Sequence, residues 1–250
     1  MDFVHRSVDD GIVEVRIERG KVNALDDSLV EELSACFAAP AENPDVRGSI
    51  LTGTGSFFSF GFDIPKFLAY SKEEFSRYLR RFTALYRGLF SHPKPIIAAL
   101  NGHAVAGGCM LATACDIRIM VDDKAKIGLN EIAFGSSIFA GSLAMLAFWV
   151  GQRRAQEILY AGKLYSAQEA HKLGLVDAVV PEGQLLQTAR QMAQQHAGKA
   201  PAAFRSIKSL LRKPVLDAMI ARETPSIEEF VEIWYSQETW KNLQGIKIHG

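Results

Sequence analysis

The sequence predicts a mixed α/β fold of stacked β-β-α turns, a superhelix closed by a helical C-terminal region. Three observations lead there. Short apolar strands come in pairs ahead of helices, first around 48–62 and again around 96–105. The strand–strand–helix rhythm repeats, as in stacked supersecondary units, instead of alternating single strands with helices as in an open doubly wound sheet. Strand patterns stop at Pro181, and residues 182–250 read as helices punctuated by Pro201, Pro214 and Pro225. The boundaries that follow are a core over 1–195 and a helical region over 196–250.

Each element has a local reason. Ile12–Ile17 alternates as a half-buried strand does. Asp26, Asp27 and Ser28 cap a helix running through Phe37, with acids at its positive end. Residues 48–52 (G-S-I-L-T) read as a buried strand. A long helix over 72–90 carries Phe75, Leu79, Phe82 and Tyr86 at helical spacing, a core-facing stripe. The strand Ile96–Leu100 turns at Asn101-Gly102 into a small-residue strand, after which Gly107-Gly108 opens an apolar helix. Ile117–Val121 is another strand. The longest apolar run, 138–150, is too short to span a bilayer and reads as a buried helix.

Composition narrows the function. At 250 residues the chain can bury a sizeable core, and 28 Lys+Arg balance 28 Asp+Glu, so the basic footprint of a nucleic-acid binder is missing. The three cysteines, Cys36, Cys109 and Cys115, form no C-x-x-C pair, which fits reduced thiols inside a cell. The first residues (M-D-F-V-H-R-S) hold no apolar signal core, and the last four (K-I-H-G) are not a peroxisomal address. The expectation is a cytoplasmic protein without a membrane partner.

The chemistry concentrates in two glycine loops and one acid. A helix opening on Gly107 and Gly108 offers free N–H groups with no side chain in the way of a ligand. The loop has no lysine and no Ser or Thr after it, so it is not a nucleotide-phosphate cradle. It fits one small, transiently negative oxygen. In the other loop, Gly61 permits an unusual backbone conformation that exposes the N–H of Phe62, just before Asp63. Two N–H groups converging from separate loops make an oxyanion hole. Asp63 reads as a carboxylate tying down backbone donors. Glu131 has two readings: an acid in the first turn of a helix after Asn130, or a proton shuttle whose pKa is raised by enclosure among Ile127, Leu129, Ile132 and Phe134. His103 reads as a satisfied strand histidine with no partner at metal spacing, and Cys109 as small apolar packing. No G-x-S-x-G elbow occurs, and G-T-G at 53–55 lacks the third glycine of a dinucleotide fingerprint.

F-S-x-G-x-D after a strand ending L-T-G, followed by P-K-P-x-I-A-A-x-N-G-x-A-x-x-G-G, resembles the crotonase (enoyl-CoA hydratase/isomerase) superfamily. The resemblance spans roughly residues 10–200 and includes V-N-A-L at 22–25 and A-Q-E-A-H-K-L-G-L-V-D-A-V-V-P at 167–181. It implies an acyl-CoA thioester substrate with no cofactor beyond the coenzyme A that the substrate carries. It also implies oxyanion donors at Phe62 and Gly107, substrate contacts around Ala24, Gly61, Asp63 and Gly108, and a C-terminal region that covers the site and helps build a homotrimer or hexamer. The family's coenzyme-contacting lysine falls near Pro65, which leaves Lys66 as the candidate for the phosphates. Hydratases of the family use two glutamates. The first would stand at Met110, whose thioether cannot activate water; the second corresponds to Glu131 in I-G-L-N-E. This one-glutamate pattern resembles the Δ3,Δ2-enoyl-CoA isomerases. Phe60 replaces the usual small residue before Gly61, and 135–142 lacks the proline and paired glycines of hydratases, so the acyl pocket should differ in shape. The expected activity is therefore a 3-enoyl-CoA to trans-2-enoyl-CoA isomerase, with a hydratase or another crotonase-family acyl-CoA enzyme, and a non-catalytic acyl-CoA-binding scaffold, as alternatives.

Overall fold

The computed structural model describes residues 1–246, so the K-I-H-G terminus lies outside the described residues. The chain opens with a hairpin of β1 (Val4–Asp9) and β2 (Ile12–Ile17), then β3 (Ala24–Leu25) and α1 (Asp27–Glu42). Asp26 caps α1 by accepting the Leu29 N–H at 3.0 Å, and the helix runs on past Phe37. Next come β4 (Gly48–Gly53), β5 (Phe57–Ser59), β6 (Gly61–Phe62), α2 (Ile64–Phe67) and α3 (Lys72–Ser91). The following turn is β7 (Ile96–Leu100), β8 (His103–Val105) and α4 (Gly107–Ala114). After it stand β9 (Ile117–Val121), β10 (Lys126–Gly128), a 3-10 turn (Glu131–Phe134), α5 (Ala140–Val150) and α6 (Gln152–Ala161). The rest comprises β11 (Tyr165–Ser166), α7 (Ala167–Leu173), β12 (Ala178–Val180), α8 (Leu185–Ala197), α9 (Pro201–Trp234) and α10 (Gln237–Gln244).

The repeated unit is visible in the sheets. A six-stranded sheet runs β1-β2-β4-β7-β9-β12, and a four-stranded one runs β11-β10-β8-β5. Within each turn the first strand (β4, β7, β9) joins the large sheet and the second (β5, β8, β10) joins the small one. Neighbouring turns pair in parallel, as at Ile50↔Ile97, Ala99↔Ile119 and Ile127↔Ala104. The strands β4 and β7 are buried along their whole length, which matches their apolar runs. Phe75, Leu79, Phe82 and Tyr86 of α3 are all buried, so that stripe is core.

Three features depart from the sequence reading. The hairpin strand β1, together with β10 and β11, carried no readable period: β1 buries only Val4, and the others are too short. The 138–150 run becomes a helix only from Ala140, buried against α4, α6 and α9. Pro214 and Pro225 do not punctuate; α9 runs through both. Each lies on the exposed side, where a carbonyl deprived of its N–H can turn to water. Meanwhile Met219, Glu223, Ile227, Phe230 and Trp234 form a buried stripe that holds the helix on α3 and α5.

The other half of α9 is anchored by charge. Asp116 accepts Lys208 Nζ at 2.7 Å and pairs with Arg212 at 2.9 Å, while the Arg212 and Arg118 guanidinium groups lie 5.3 and 4.1 Å from the Trp149 ring centre. Burial lowers the Lys208 ammonium to about 8 despite the Asp116 charge beside it.

Ahead of β3, Asn23 locks the first loop. It is fully buried with φ +50°, a conformation that asparagine tolerates better than most residues. Its side chain accepts the Arg19 N–H at 2.8 Å and donates to Thr54 O at 3.1 Å and Phe57 O at 2.8 Å. Asn23→Ala strips all three and keeps the strained backbone. Unfolding in urea should show a loss of about 2–4 kcal/mol; a loss under about 1 kcal/mol would mean that the loop is held by something else.

Candidate active site

The two glycine loops meet where β6 passes the end of β8. Gly61 has φ +96°, and a methyl group on it would come within 2.8 Å of Val105 O and 2.9 Å of Gly107 N. Glycine is thus required twice, for its dihedral and for the close crossing. Just behind, a methyl group on Gly108 would stand 2.3 Å from Ser59 O, so the first turn of α4 is pressed on β5.

Both predicted donors sit at this crossing. Asp63 N–H donates to Leu25 O at 2.9 Å within the β3–β6 pairing. Successive N–H groups of a strand point to opposite edges, so the Phe62 N–H is left unclaimed by that ladder. Gly107 is the first residue of α4, whose opening N–H groups have no intrahelical acceptor. Ala106, just before it, adopts φ +49° and ψ −115°, a strained state for a residue with a side chain. It is pinned on both sides: its N–H donates to Gly128 O at 2.9 Å and its carbonyl accepts the Met110 N–H at 3.0 Å. Nothing in the sequence marked Ala106, because the strain arises from the β8–β10 pairing.

A cavity of about 300 Å³ opens beside the crossing. Of the sequence-predicted residues, Phe60, Phe62, Gly107, Met110 and Glu131 line it, whereas Ala24, Gly61, Asp63, Lys66 and Gly108 do not. Ala24 is buried in β3 with its carbonyl accepting from Arg19 at 2.7 Å. Asp63 caps α2 through the Lys66 N–H at 3.3 Å and accepts Arg19 at 2.9 Å, the backbone-tying role expected of it. The Lys66 ammonium is engaged by Asp26 at 2.8 Å. Burial alone would raise the Asp26 carboxyl, but the Lys66 and Leu29 hydrogen bonds and the charge of Arg19 hold it below the usual range. Sequence reasoning missed the cavity wall from α9, Phe230 and Trp234, because a 34-residue helix reveals its contact face only in tertiary context.

Glu131 begins the 3-10 turn after β10, with 5% of its surface exposed. Glu131 is the acid in the first turn after Asn130, as one of the two readings has it, but Asn130 makes no side-chain cap and neither Glu131 oxygen has a hydrogen-bond partner among the described residues, so its carboxyl caps nothing. Burial pushes its carboxyl up to about 8, opposed only by its own backbone N–H. The enclosure differs from expectation in one respect: Ile127 and Leu129 are buried, but Ile132 is 53% exposed, and Phe134 joins the cavity lining instead. A carboxyl with no partner in an apolar cavity, facing unclaimed N–H groups, can take and return a proton next to an oxygen that gains charge.

Burial raises the Cys109 thiol far above the thiolate range. His103 lines the cavity, accepts the Lys126 N–H through Nδ1 at 3.1 Å and lies tilted by 37° against Phe57, 4.9 Å between centroids. Among the described residues no cluster of His, Cys, Asp and Glu could hold a metal, and no helix is long and apolar enough to cross a membrane.

The family model for enoyl-CoA hydratase/isomerase matches residues 7–246. The chain is 36% identical to a probable enoyl-CoA hydratase of Bacillus subtilis, over 98% of this chain and 95% of that one. It is 29% identical to the mitochondrial enoyl-CoA delta isomerase 1 of Mus musculus, over 93% and 81% respectively. The crystal structure of human mitochondrial Δ3-Δ2-enoyl-CoA isomerase superposes with a TM-score of 0.91 at 29% identity, covering 96% of this chain and 95% of that chain.

A raised carboxyl pKa has a cost in stability. The folded chain keeps the Glu131 proton between its ordinary value of 4.5 and about 8, whereas the unfolded chain releases it. Stability from this group is complete below 4.5, falls by about 1.4 kcal/mol per pH unit above it, and levels off past 8. Glu131→Gln removes that dependence. Denaturation at several pH values should show the variant gaining on the wild type from pH 5 to 8; a constant difference would mean that the carboxyl is not held protonated.

Proposed function

The chain belongs to the enoyl-CoA hydratase/isomerase family, and from that premise we propose that it moves the double bond of a 3-enoyl-CoA to the trans-2 position. The observation that carries the reading is a cavity with one carboxylate, Glu131, and Met110 where a hydratase places its other glutamate. Water addition needs one group to deprotonate the water and another to protonate C2; a thioether does neither. Double-bond migration needs only one.

The ionised Glu131 takes a proton from C2 of the bound thioester. The C2–H electrons form the C1–C2 bond of a dienolate, and the carbonyl electrons move to the thioester oxygen. The Phe62 and Gly107 N–H groups donate to that oxygen as its charge grows, in a site largely closed to water. The C3–C4 π electrons of the dienolate then take the proton from the Glu131 carboxyl to form the C4–H bond, the C1–C2 pair shifts to C2–C3, and the carbonyl re-forms. A pKa near 8 fits this two-way duty, because a base poised near neutrality both accepts and releases a proton at low cost. As to assembly, we infer a trimer or a pair of trimers, supported by Ile207, Leu210, Leu211 and Ile220, which are exposed along α9.

Incubation with 3-enoyl-CoA and, separately, with 2-enoyl-CoA tests the assignment. Fast 2-enoyl-CoA formation with little hydration is expected; efficient 3-hydroxyacyl-CoA formation without isomerisation overturns it and favours the hydratase. The Glu131→Gln variant keeps the shape but accepts no proton, so kcat should fall by about 10²–10⁴-fold with KM little changed. For the wild type, kcat/KM should rise with pH up to about 8, as Glu131 ionises. A near-normal kcat in the variant would remove Glu131 from the mechanism.

A further inference from the structure

A second cavity, of about 530 Å³, lies between the end of α5, the start of β9 and the first turns of α9. It shares no lining residue with the cavity that holds Glu131. Its wall is apolar: Phe148, Trp149, Phe204, Ile207 and Leu211 line it, and the last two are largely exposed. Two cations line it as well, and both are buried. Lys208 is 7% exposed and Arg212 is 4% exposed.

The charges around this cavity do not balance. Lys208 Nζ lies 2.7 Å from Asp116, and the Arg212 guanidinium lies 2.9 Å from the same carboxylate. Two cations thus share one anion, and one positive charge is left over. The neighbouring Arg118 offers no relief, because Asp177 already pairs with it at 2.6 Å. Among the described residues that line the cavity, Asp116 is the only acid, whereas His196 and Lys199 add two more basic groups. A cation held away from water is costly unless a counter-charge answers it. The cost shows at Lys208: burial lowers its ammonium to about 8, Asp116 opposes this, and the Arg212 charge adds to it.

An apolar wall with one positive charge in excess complements a particular kind of small molecule. An aliphatic tail gains by leaving water along such a wall. A carboxylate head supplies the single missing charge and accepts charge-assisted hydrogen bonds from ammonium and guanidinium groups. A phosphate monoester brings close to two negative charges where one is needed, and an alcohol brings none. We propose that this cavity binds a free aliphatic monocarboxylate, its head beside Lys208 and Arg212 and its tail along Phe204, Ile207 and Leu211. A site so placed works in the same way whichever reaction the Glu131 cavity performs.

Calorimetric titration of the intact protein with sodium decanoate, below its micelle concentration, tests this directly. The comparison ligands are 1-decanol, which keeps the tail without the charge, and acetate, which keeps the charge without the tail. Decanoate should bind at least about tenfold more tightly than decanol, and acetate should show no binding heat. Lys208→Met should remove the preference for decanoate over decanol. Ile207→Trp, which fills the cavity, should weaken decanoate by at least about tenfold. An excess of octanoyl-CoA should leave decanoate binding unchanged, because the two cavities share no residue. Equal affinity for decanoate and decanol overturns the proposal, as does unaltered decanoate binding in a folded Lys208→Met or Ile207→Trp variant. Competition by octanoyl-CoA places the ligand in the Glu131 cavity and overturns it too. If the intact protein binds no decanoate, the proposal fails and the face is left to a second copy of the chain. Where neither variant folds, the decanol comparison and the octanoyl-CoA competition on the wild type decide the question.

Discussion

The site depends on one close crossing of backbone over backbone. Gly61 passes Val105 and Gly107 with no room for a methyl group, and Gly108 bears on Ser59 in the same way. These contacts bring the N–H of Phe62 beside that of Gly107 although the two residues come from successive turns of the superhelix. The strain at Ala106 belongs to the same junction: the β8–β10 pairing and the first turn of α4 fix the residue from both sides. N–H groups held in this way would need no rearrangement to meet a negative oxygen, which is the physical meaning of preorganisation.

Around that crossing the protein has left polar groups out. Glu131 has no hydrogen-bond partner among the described residues, and Met110 lines the same cavity with a soft apolar side chain. A neighbouring carboxylate would hold Glu131 protonated still more strongly; a neighbouring ammonium would hold it ionised. With neither nearby, burial alone sets the proton affinity, and a group so placed can exchange its proton in both directions. The charges of Arg19, Asp26, Asp63 and Lys66 are internally paired and spent on the loop that carries Phe62.

The parts legible in the sequence were those decided by local chemistry. Gly61 and Gly108 announced their loops because only glycine fits there, Gly107 marked the helix opening, and Asp26 and the α3 stripe followed from capping and helical period. The isolation of Glu131 was half legible: its apolar neighbours were visible, but Ile132 faces outward while Phe134 and Trp234 enclose the space, which only the tertiary fold decides. The strands β1, β10 and β11 were hidden by brevity or exposure. The uninterrupted α9 was hidden by Pro214 and Pro225, whose local effect is overridden by a buried stripe on the other side of the helix. Membership of the enoyl-CoA hydratase/isomerase family was legible from the loop motifs, whereas the choice of reaction rests on single positions within them.

The placement of α9 also bears on how the protein is made. Among the described residues every β-strand precedes residue 181, so the sheets can form while the C-terminal helices are still in the ribosome or have yet to be synthesised. Until α9 emerges and docks, Phe75 and Phe139 lack the Phe230 and Trp234 rings that pack on them, and apolar surface exposed at that stage is the kind that invites aggregation or a chaperone during translation. The cavity around Glu131 therefore gains its Phe230 and Trp234 wall only when the last long helix is made and docks.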